Sequence, residues 1–303
     1  MGELCFAPVA IGDYDRIYEK TSKYGEGSCQ HSPVSMYSMQ EKYGECICER
    51  DGFLYTLRSR LCDEDYRVYL APLGEGNLKE AFERIFADAS LYGKKVKFVT
   101  LTETYAKFLE TEFPGRFGIQ EDRDLAEYCY LSEKMAAFSG GKLVSRRKEV
   151  KRFYKEYGER TEISLLEPSD FTEILDFERE WLFENAETHD EEALEREARF
   201  IERHLADYDR LRLSGIVLRM DGRVRGFCYG TKLSGDYYDG IIQKADRKIP
   251  NIYKVLTMEL VKRCAGECRY FNIEEDLGVP GLRTLKCAYH PDHLILKYRV
   301  TER

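Results

Sequence analysis

Two apolar stretches of the chain are each divided by an Asp-Gly pair, which is a strong sequence signal for a tight β-hairpin. The first stretch covers residues 46–58 around Asp51-Gly52, and the second covers residues 216–229 around Asp221-Gly222. Each stretch is therefore predicted to form two antiparallel strands that are joined by a two-residue turn.

The segments that follow the two hairpins repeat one order of elements. After the first hairpin, the hydrophobic pattern predicts a strand at 66–70, a helix at 78–92, a strand at 96–101 and a helix from Glu103. After the second, it predicts a strand at 237–243, a helix at 252–264, a strand at 270–273 and a helix near Leu282. The repeated order indicates a duplicated α/β domain.

We therefore predict an α/β (α+β) protein with two domains in tandem, each a mixed, mostly antiparallel sheet flanked by helices. At 303 residues the chain is long enough for two hydrophobic cores. A glycine-rich break at Ser139-Gly140-Gly141 places the predicted boundary. Residues 1–138 would form the first domain, and residues 139–303 a basic helix followed by the second.

Segment lengths and cysteine usage narrow the class of protein. No segment approaches the roughly 20 apolar residues that a membrane-spanning helix needs, and the N-terminus lacks an export-signal pattern. We therefore expect a cytoplasmic protein without membrane insertion. The ten cysteines are scattered, and neither they nor His290 and His293 have the spacing of a zinc site. Reduced thiols and no metal are predicted.

A basic helix stands out from the acidic background, because the whole chain carries a net charge of −8. Residues 142–155 contain seven basic side chains and a single acid, and their apolar residues recur at helical spacing. Four of the basic side chains are candidate anion contacts: Lys142, Arg146, Arg147 and Lys151. A solvated helix paired with neighbouring acids is the alternative. Duplex nucleic acid would require a wider basic surface.

Two further features are candidates for ligand contacts. Lys244 and Arg247 lie in a loop before the helix predicted at 252–264, where Asn251 could cap the helix and its amides could face an anion. An exposed basic turn is the alternative. Trp181, the single tryptophan, could form the wall of a pocket or could pack in the core.

The segment from residue 270 to residue 291 holds the densest group of chemically active side chains. An apolar strand leads into Asn272 and then into three successive acids, Glu274, Glu275 and Asp276. A Gly/Pro turn follows, and a helix then carries Arg283, Lys286 and Tyr289. Ligands bind where the strands of α/β sheets end, so this segment is the predicted site. The acids could instead cap the helix or pair with its basic residues.

These residues also carry a family resemblance. The run Asn272-Ile-Glu-Glu-Asp-Leu-Gly-x-x-Gly-Leu-Arg-x-x-Lys-x-x-Tyr-x-Pro291, with Tyr128-Cys-Tyr130, Gly141-Lys142, Arg146-Arg147 and Phe153, resembles a family of bacterial proteins. That family is grouped with the catalytic C-terminal domain of lysyl-phosphatidylglycerol synthases and is related to Fem-type aminoacyltransferases. The resemblance implies two GNAT-like acyltransferase domains in tandem.

The resemblance also implies chemistry for individual residues. A cation can stabilise the oxyanion of acyl transfer, and a carboxylate can remove the proton of the attacking group. Lys286 and Arg283 are therefore expected at an oxyanion or a phosphate, and one of Glu274, Glu275 and Asp276 is expected as the base. Tyr289 would be an acid, and Asn272 would contact substrate.

The expected function is acyl or aminoacyl transfer to a small acceptor that offers an amine or a hydroxyl. Aminoacyl-tRNA or acyl-CoA would be the co-substrate, and the acceptor end of tRNA would be the only nucleic acid bound. Residues 244–251 contain no glycine, so the phosphate-binding pattern of acetyl-CoA enzymes is missing and acetyl-CoA is not favoured. The alternative function is a non-catalytic binding module for a small charged metabolite.

Overall fold

The computed structural model describes residues 3–185 and 191–303, and it shows a mixed α/β protein with two mixed sheets. The helices are α1 (Tyr14–Tyr24), α2 (Pro33–Ser38), α3 (Gln40–Tyr43), α4 (Leu78–Leu91), α5 (Glu103–Glu112), α6 (Ser132–Met135), α7 (Val144–Tyr157), α8 (Phe171–Asn185), α9 (Glu191–Ala206), α10 (Ile252–Leu260) and α11 (Pro280–Cys287). The strands are β1 (Ala7–Pro8), β2 (Glu45–Arg50), β3 (Phe53–Arg58), β4 (Tyr66–Tyr69), β5 (Leu73–Gly74), β6 (Lys95–Thr102), β7 (Phe117–Glu121), β8 (Glu127–Leu131), β9 (Thr161–Leu165), β10 (Ser214–Met220), β11 (Arg223–Lys232), β12 (Tyr237–Ala245), β13 (Tyr270–Glu275), β14 (His293–Ile295) and β15 (Lys297–Glu302).

The first sheet runs in the order β1-β2-β3-β4-β6-β15-β7, with β5 paired to β3. Its hairpin β2–β3 turns through Asp51 and Gly52, whose φ angles are +47° and +83°. Such left-handed pairs give the turn the twist that matches a hairpin, so this prediction is confirmed. Aromatic side chains of α4 and β6 fill the core, and the rings of Phe82 and Phe98 meet edge to face at 5.4 Å.

The second sheet contains seven strands in the order β14-β8-β13-β12-β11-β10-β9. Its hairpin β10–β11 turns through Asp221 and Gly222, which again have positive φ angles. In this sheet β12 pairs parallel to β13, as β4 pairs parallel to β6 in the first sheet. The repeated hairpin and parallel pair agree with the predicted duplication.

The chain forms two compact units, and each is assembled from separate stretches. One unit comprises Met1–Tyr128, Glu275–Leu285 and His293–Arg303, and the other comprises Cys129–Glu274 and Lys286–Asp292. The last strand of the chain, β15, enters the first sheet between β6 and β7 and is antiparallel to both. The units therefore do not follow chain order, whereas the predicted division into 1–138 and 139–303 does.

Helix α7 has the amphipathic character that the sequence predicts. Val150 and Phe153 are buried on one face, while Lys148 and Lys151 are exposed on the other. All ten cysteines are free thiols, as expected. Within residues 3–185 and 191–303, every helix is too short or too polar to cross a bilayer.

Candidate functional site

The peptide bond between Ile273 and Glu274, close to the end of β13, is held at both its polar atoms. The ammonium of Lys286 donates to the Ile273 carbonyl at 2.5 Å, and the Glu274 N–H donates to the Asn272 side-chain oxygen at 2.8 Å. Glu274 has a φ of +59°, a conformation that non-glycine residues seldom adopt. Strain of this kind costs about 1–3 kcal/mol and persists where the surroundings enforce it. Three residues of the predicted site therefore meet at one strained peptide.

The two residues that hold this peptide are themselves fixed. Asn272 is completely buried, and Lys286 is only 7% exposed. The hydroxyl of Tyr130 donates to the backbone carbonyl of Lys286 at 2.8 Å, which anchors the residue that carries the ammonium. The Glu274 side chain is half-buried, so its carboxylate lies at the margin of the core. A carboxylate in such a position can accept a proton without a rearrangement of the backbone.

Asp276 has a different environment, because basic and hydroxyl groups surround it. Arg283 donates two bonds of 2.8 Å to its two carboxylate oxygens, and the hydroxyl of Tyr128 donates a third at 2.5 Å. The backbone N–H of Gly278 adds a bond of 2.9 Å. The hydrogen bonds from Arg283 hold the pKa of the Asp276 carboxyl well below its usual range. Such a carboxylate is a weak base, and its contacts hold the turn that begins α11.

The guanidinium of Arg283 is likewise held by hydrogen bonds to neighbouring side chains. Its guanidinium also donates to Asp124 at 2.7 Å, and hydrogen bonds to Asp276 and Asp124 raise its pKa above the ordinary value. The sequence predicts both Asp276 and Arg283 as site residues. The structure gives them each other as partners, which is the alternative that the sequence left open.

Glu275, the middle acid, belongs to the first unit and contacts the segment before α2. Gln30 donates its amide N–H to Glu275 at 3.2 Å, and the Cys29 thiol lies 3.8 Å from the other carboxylate oxygen. In the same unit, Glu127 and Lys297 form a fully buried ion pair of 2.7 Å. No local pattern singles out this buried pair, because the two residues lie at distant points of the chain.

Tyr289 lies in an aromatic cluster of the second unit. Its ring stacks on Phe138 at 5.7 Å between centroids and meets Tyr130 edge to face at 6.2 Å. Burial raises the pKa of Tyr289 to about 12. The phenol is therefore protonated at neutral pH, and it is a weaker acid than an exposed tyrosine.

A cavity of about 410 Å³ opens beside this cluster. It is lined by Tyr130, Leu131, Lys134, Met135, Ser139, Gly140, Gly141, Lys142, Leu143, Tyr289, His290, Pro291 and Asp292. The cavity thus unites Lys142 and Tyr289, which the sequence predicts as site residues, with Lys134 and His290, which it missed. Lys134 was missed because it lies outside the dense basic run.

The remaining basic candidates of α7 have separate environments. Arg146 pairs with Glu149 at 3.0 Å, and Arg147 donates to the Phe138 carbonyl at 2.5 Å. Lys151 is exposed. The helix therefore combines the two readings of the sequence, since Arg146 is paired with a neighbouring acid while Lys151 faces solvent.

Lys244 and Trp181 form a buried cluster in the second unit instead of lining an open loop. Lys244 is 5% exposed and pairs with Glu178 at 3.2 Å and with Glu197, and its ammonium lies 3.6 Å from the centre of the Trp181 ring. The indole N–H donates to the Ala245 carbonyl at 3.0 Å. Lys244 was expected in a loop, but it lies within β12.

The rest of that predicted loop also differs from expectation. Arg247 is exposed. Asn251 precedes α10, as predicted, but its φ is +67° and its side chain makes no capping hydrogen bond. The predicted side-chain cap is therefore wrong, because a left-handed residue does not direct its side chain to the first amides of the helix.

The two mixed sheets, each with an antiparallel hairpin and a parallel strand pair, have a tandem GNAT-like fold. Residues 22–301 match the model of the family described as phosphatidylglycerol lysyltransferase, C-terminal. The chain belongs to this family, so the predictions of family and fold class are confirmed. A search of curated proteins finds no match.

Solved structures show the same fold. A conserved protein of unknown function from Bacteroides thetaiotaomicron is similar with a TM-score of 0.92 and 28% identity, covering 99% of this chain and 100% of that one. L-PGS from Bacillus licheniformis is similar with a TM-score of 0.66 and 14% identity, over 97% and 92% of the two chains. FemX shares the fold at a TM-score of 0.63 and 8% identity, over 99% and 98%.

Proposed function

We propose that this protein transfers an acyl or aminoacyl group from a nucleotide-linked donor, such as aminoacyl-tRNA, to the amine or hydroxyl of a small acceptor in the cytoplasm. The observation that carries the proposal is the strained peptide between Ile273 and Glu274, which Lys286 and Asn272 hold at both polar atoms. Backbone strain that a structure enforces is characteristic of active sites. The family and its GNAT-like fold supply the class of reaction.

Glu274 is the proposed general base. The nitrogen or oxygen of the acceptor attacks the carbonyl carbon of the ester-linked donor, and Glu274 takes the proton that this atom loses. The tetrahedral intermediate then breaks its bond to the donor oxygen, which leaves with the proton returned from Glu274. Asp276 is a poorer choice for this step, because Arg283 and Tyr128 stabilise its charged form.

Lys286 has a positioning role in this proposal and an electrostatic one. Its ammonium is fixed at the carbonyl of Ile273, so its positive charge lies within one peptide of the base. A buried cation at that distance stabilises negative charge on the carbonyl oxygen of the donor during attack. An arginine at position 286 would fit less well, because its planar guanidinium requires more room than an ammonium.

A substitution pair tests the assignment of the base. Glu274→Gln and Glu275→Gln make the same chemical change at adjacent positions, so each serves as the control of the other. With tRNA charged with labelled amino acids and a panel of amines and alcohols, Glu274→Gln should lower the transfer rate by roughly 10²–10⁴-fold. Glu275→Gln should retain most of it. Equal rates for the two variants would refute the role of Glu274.

The second function, a non-catalytic module that binds a small charged metabolite, is favoured by the cation-lined cavity beside Tyr289. Native mass spectrometry of the purified protein distinguishes the two functions. A retained ligand without turnover of charged tRNA or acyl-CoA supports binding alone. Labelled product that depends on Glu274 supports the transferase.

A tRNA donor gives one further expectation for α7. Lys148 and Lys151 are exposed on this helix, so their replacement by glutamate should weaken tRNA binding and reduce its dependence on salt. Unchanged affinity of the double variant would exclude this helix as the tRNA contact. A smaller nucleotide-linked donor would then be the candidate.

A further inference from the structure

The cavity beside Tyr289 is built entirely within the second unit, from three stretches of the chain. Residues 130–135, 139–143 and 289–292 supply its lining. Its volume of about 410 Å³ lies within the roughly 300–1,000 Å³ of small-molecule sites. The cavity is therefore large enough for a mononucleotide but too small for a folded nucleic acid.

Its charged lining favours an anion. Lys134 and Lys142 are both exposed and line the cavity from different stretches, and neither forms an ion pair within the described parts of the chain. Lys244 of the same unit differs from these two lysines, because it is buried and paired with two carboxylates. Asp292 is the single acid in the lining, so it can offset at most one of the two ammonium charges.

The remaining lining suits a planar group attached to that anion. Tyr130, Leu131, Met135 and Tyr289 form the apolar wall of the cavity: Leu131 is half-buried, and Tyr130, Met135 and Tyr289 are 1%, 1% and 6% exposed. Tyr130 already donates its hydroxyl to the Lys286 carbonyl, so its ring is held in place. A ligand with a charged end and a flat, weakly polar body is complementary to such a lining.

We propose that this cavity binds the phosphate group of a nucleotide, with Lys134 and Lys142 at the phosphate and the base against the apolar wall. The phosphate monoester of AMP carries between one and two negative charges at neutral pH, and the phosphodiester at the end of a tRNA carries one, so either matches a pair of ammonium groups. This inference rests on the proposed function in one respect, because the nucleotide would be the end of the acyl donor.

Titration calorimetry with AMP, adenosine and inorganic phosphate tests the proposal. AMP should bind at least tenfold more tightly than adenosine, because adenosine lacks the phosphate, and tighter than phosphate, because phosphate lacks the base. Lys134→Gln and Lys142→Gln should each weaken AMP binding by about tenfold, as expected for one charge-assisted contact. Lys155→Gln is the matched control, since it removes an exposed lysine of α7 that does not line the cavity.

The outcomes separate the proposal from the function on which it rests. Equal binding of AMP and adenosine, no binding of AMP, or an equal loss in Lys155→Gln would overturn the nucleotide site. Because all three lysines are exposed, the variants should fold, which circular dichroism checks. AMP binding that depends on Lys134 and Lys142, in a protein without transferase activity, would support the site and reject the transferase. Transferase activity in a protein that does not bind AMP through Lys134 and Lys142 would support the transferase and reject the nucleotide site.

Discussion

Glu178 is the buried acid whose ionisation should leave the clearest mark on stability. It is 2% exposed, and its nearest cation is Lys244 at 3.2 Å. Burial raises the pKa of Glu178 from 4.5 to about 7, and Lys244 offsets only part of that effect. The neutral amide in Glu178→Gln has a similar shape but does not titrate, so the variant removes the pH dependence while keeping most of the packing.

The sign and size of the effect follow from linkage. Below pH 4.5 the carboxyl is protonated in both the folded and the unfolded state, so its contribution to stability is fully present. As the pH rises towards 7, the unfolded state loses the proton first, and the free energy of unfolding falls. A shift from 4.5 to about 7 corresponds to about 3 kcal/mol. The wild type should therefore lose about 3 kcal/mol relative to Glu178→Gln across this range.

Urea unfolding followed by tryptophan fluorescence measures this difference directly. Trp181 is the single tryptophan, and its ring lies 3.6 Å from the ammonium of Lys244, so the signal reports on the surroundings of Glu178. Glu184→Gln is the control, because Glu184 is an exposed acid paired with Lys248, where substitution should change stability little. Parallel stability curves for wild type and Glu178→Gln between pH 4.5 and 7 would refute the reasoning.

Two further substitutions test other buried features. Burial lowers the pKa of His204 to about 3, so its contribution is present above pH 6.5 and is lost as the pH falls towards 3. Wild type should therefore lose about 5 kcal/mol relative to His204→Gln over that range, and a constant difference between the two would contradict this. Gly278 has a φ of +74°, and a Cβ there would lie 2.8 Å from a carboxylate oxygen. Gly278→Ala should lower the free energy of unfolding by about 1–3 kcal/mol, whereas Gly281→Ala, which meets no atom within 4 Å, should change it little.

The parts of the fold that could be predicted from the sequence are those set by local chemistry. Asp-Gly turns require positive φ at both positions, and this requirement located Asp51-Gly52 and Asp221-Gly222 correctly. Strand β15 could not be assigned in this way. It joins the first sheet between β6 and β7, which lie far from it in sequence, and its own residues do not specify those neighbours.

The candidate site shows the same limit at the level of side chains. The sequence predicted Asn272, Glu274 and Lys286 as one group, because they follow one another along a strand, a turn and a helix. The group does meet at one peptide. The environment of Lys244 was not predictable, because its partners Glu178 and Glu197 come from α8 and α9. A basic residue near the end of a strand looks the same in sequence whether it is exposed or buried against distant acids.

In the proposed mechanism, neighbours and not residue type select the proton acceptor among the three successive acids. Asp276 accepts bonds from Arg283 and Tyr128, which stabilise its ionised form and make it a weak base. Glu275 accepts a bond from Gln30, a residue brought by the first unit. Glu274 instead lies on a peptide that Asn272 and Lys286 hold in a strained conformation. The positive φ of Glu274 sets the direction in which its side chain leaves the backbone, and the proposed role as base depends on that direction.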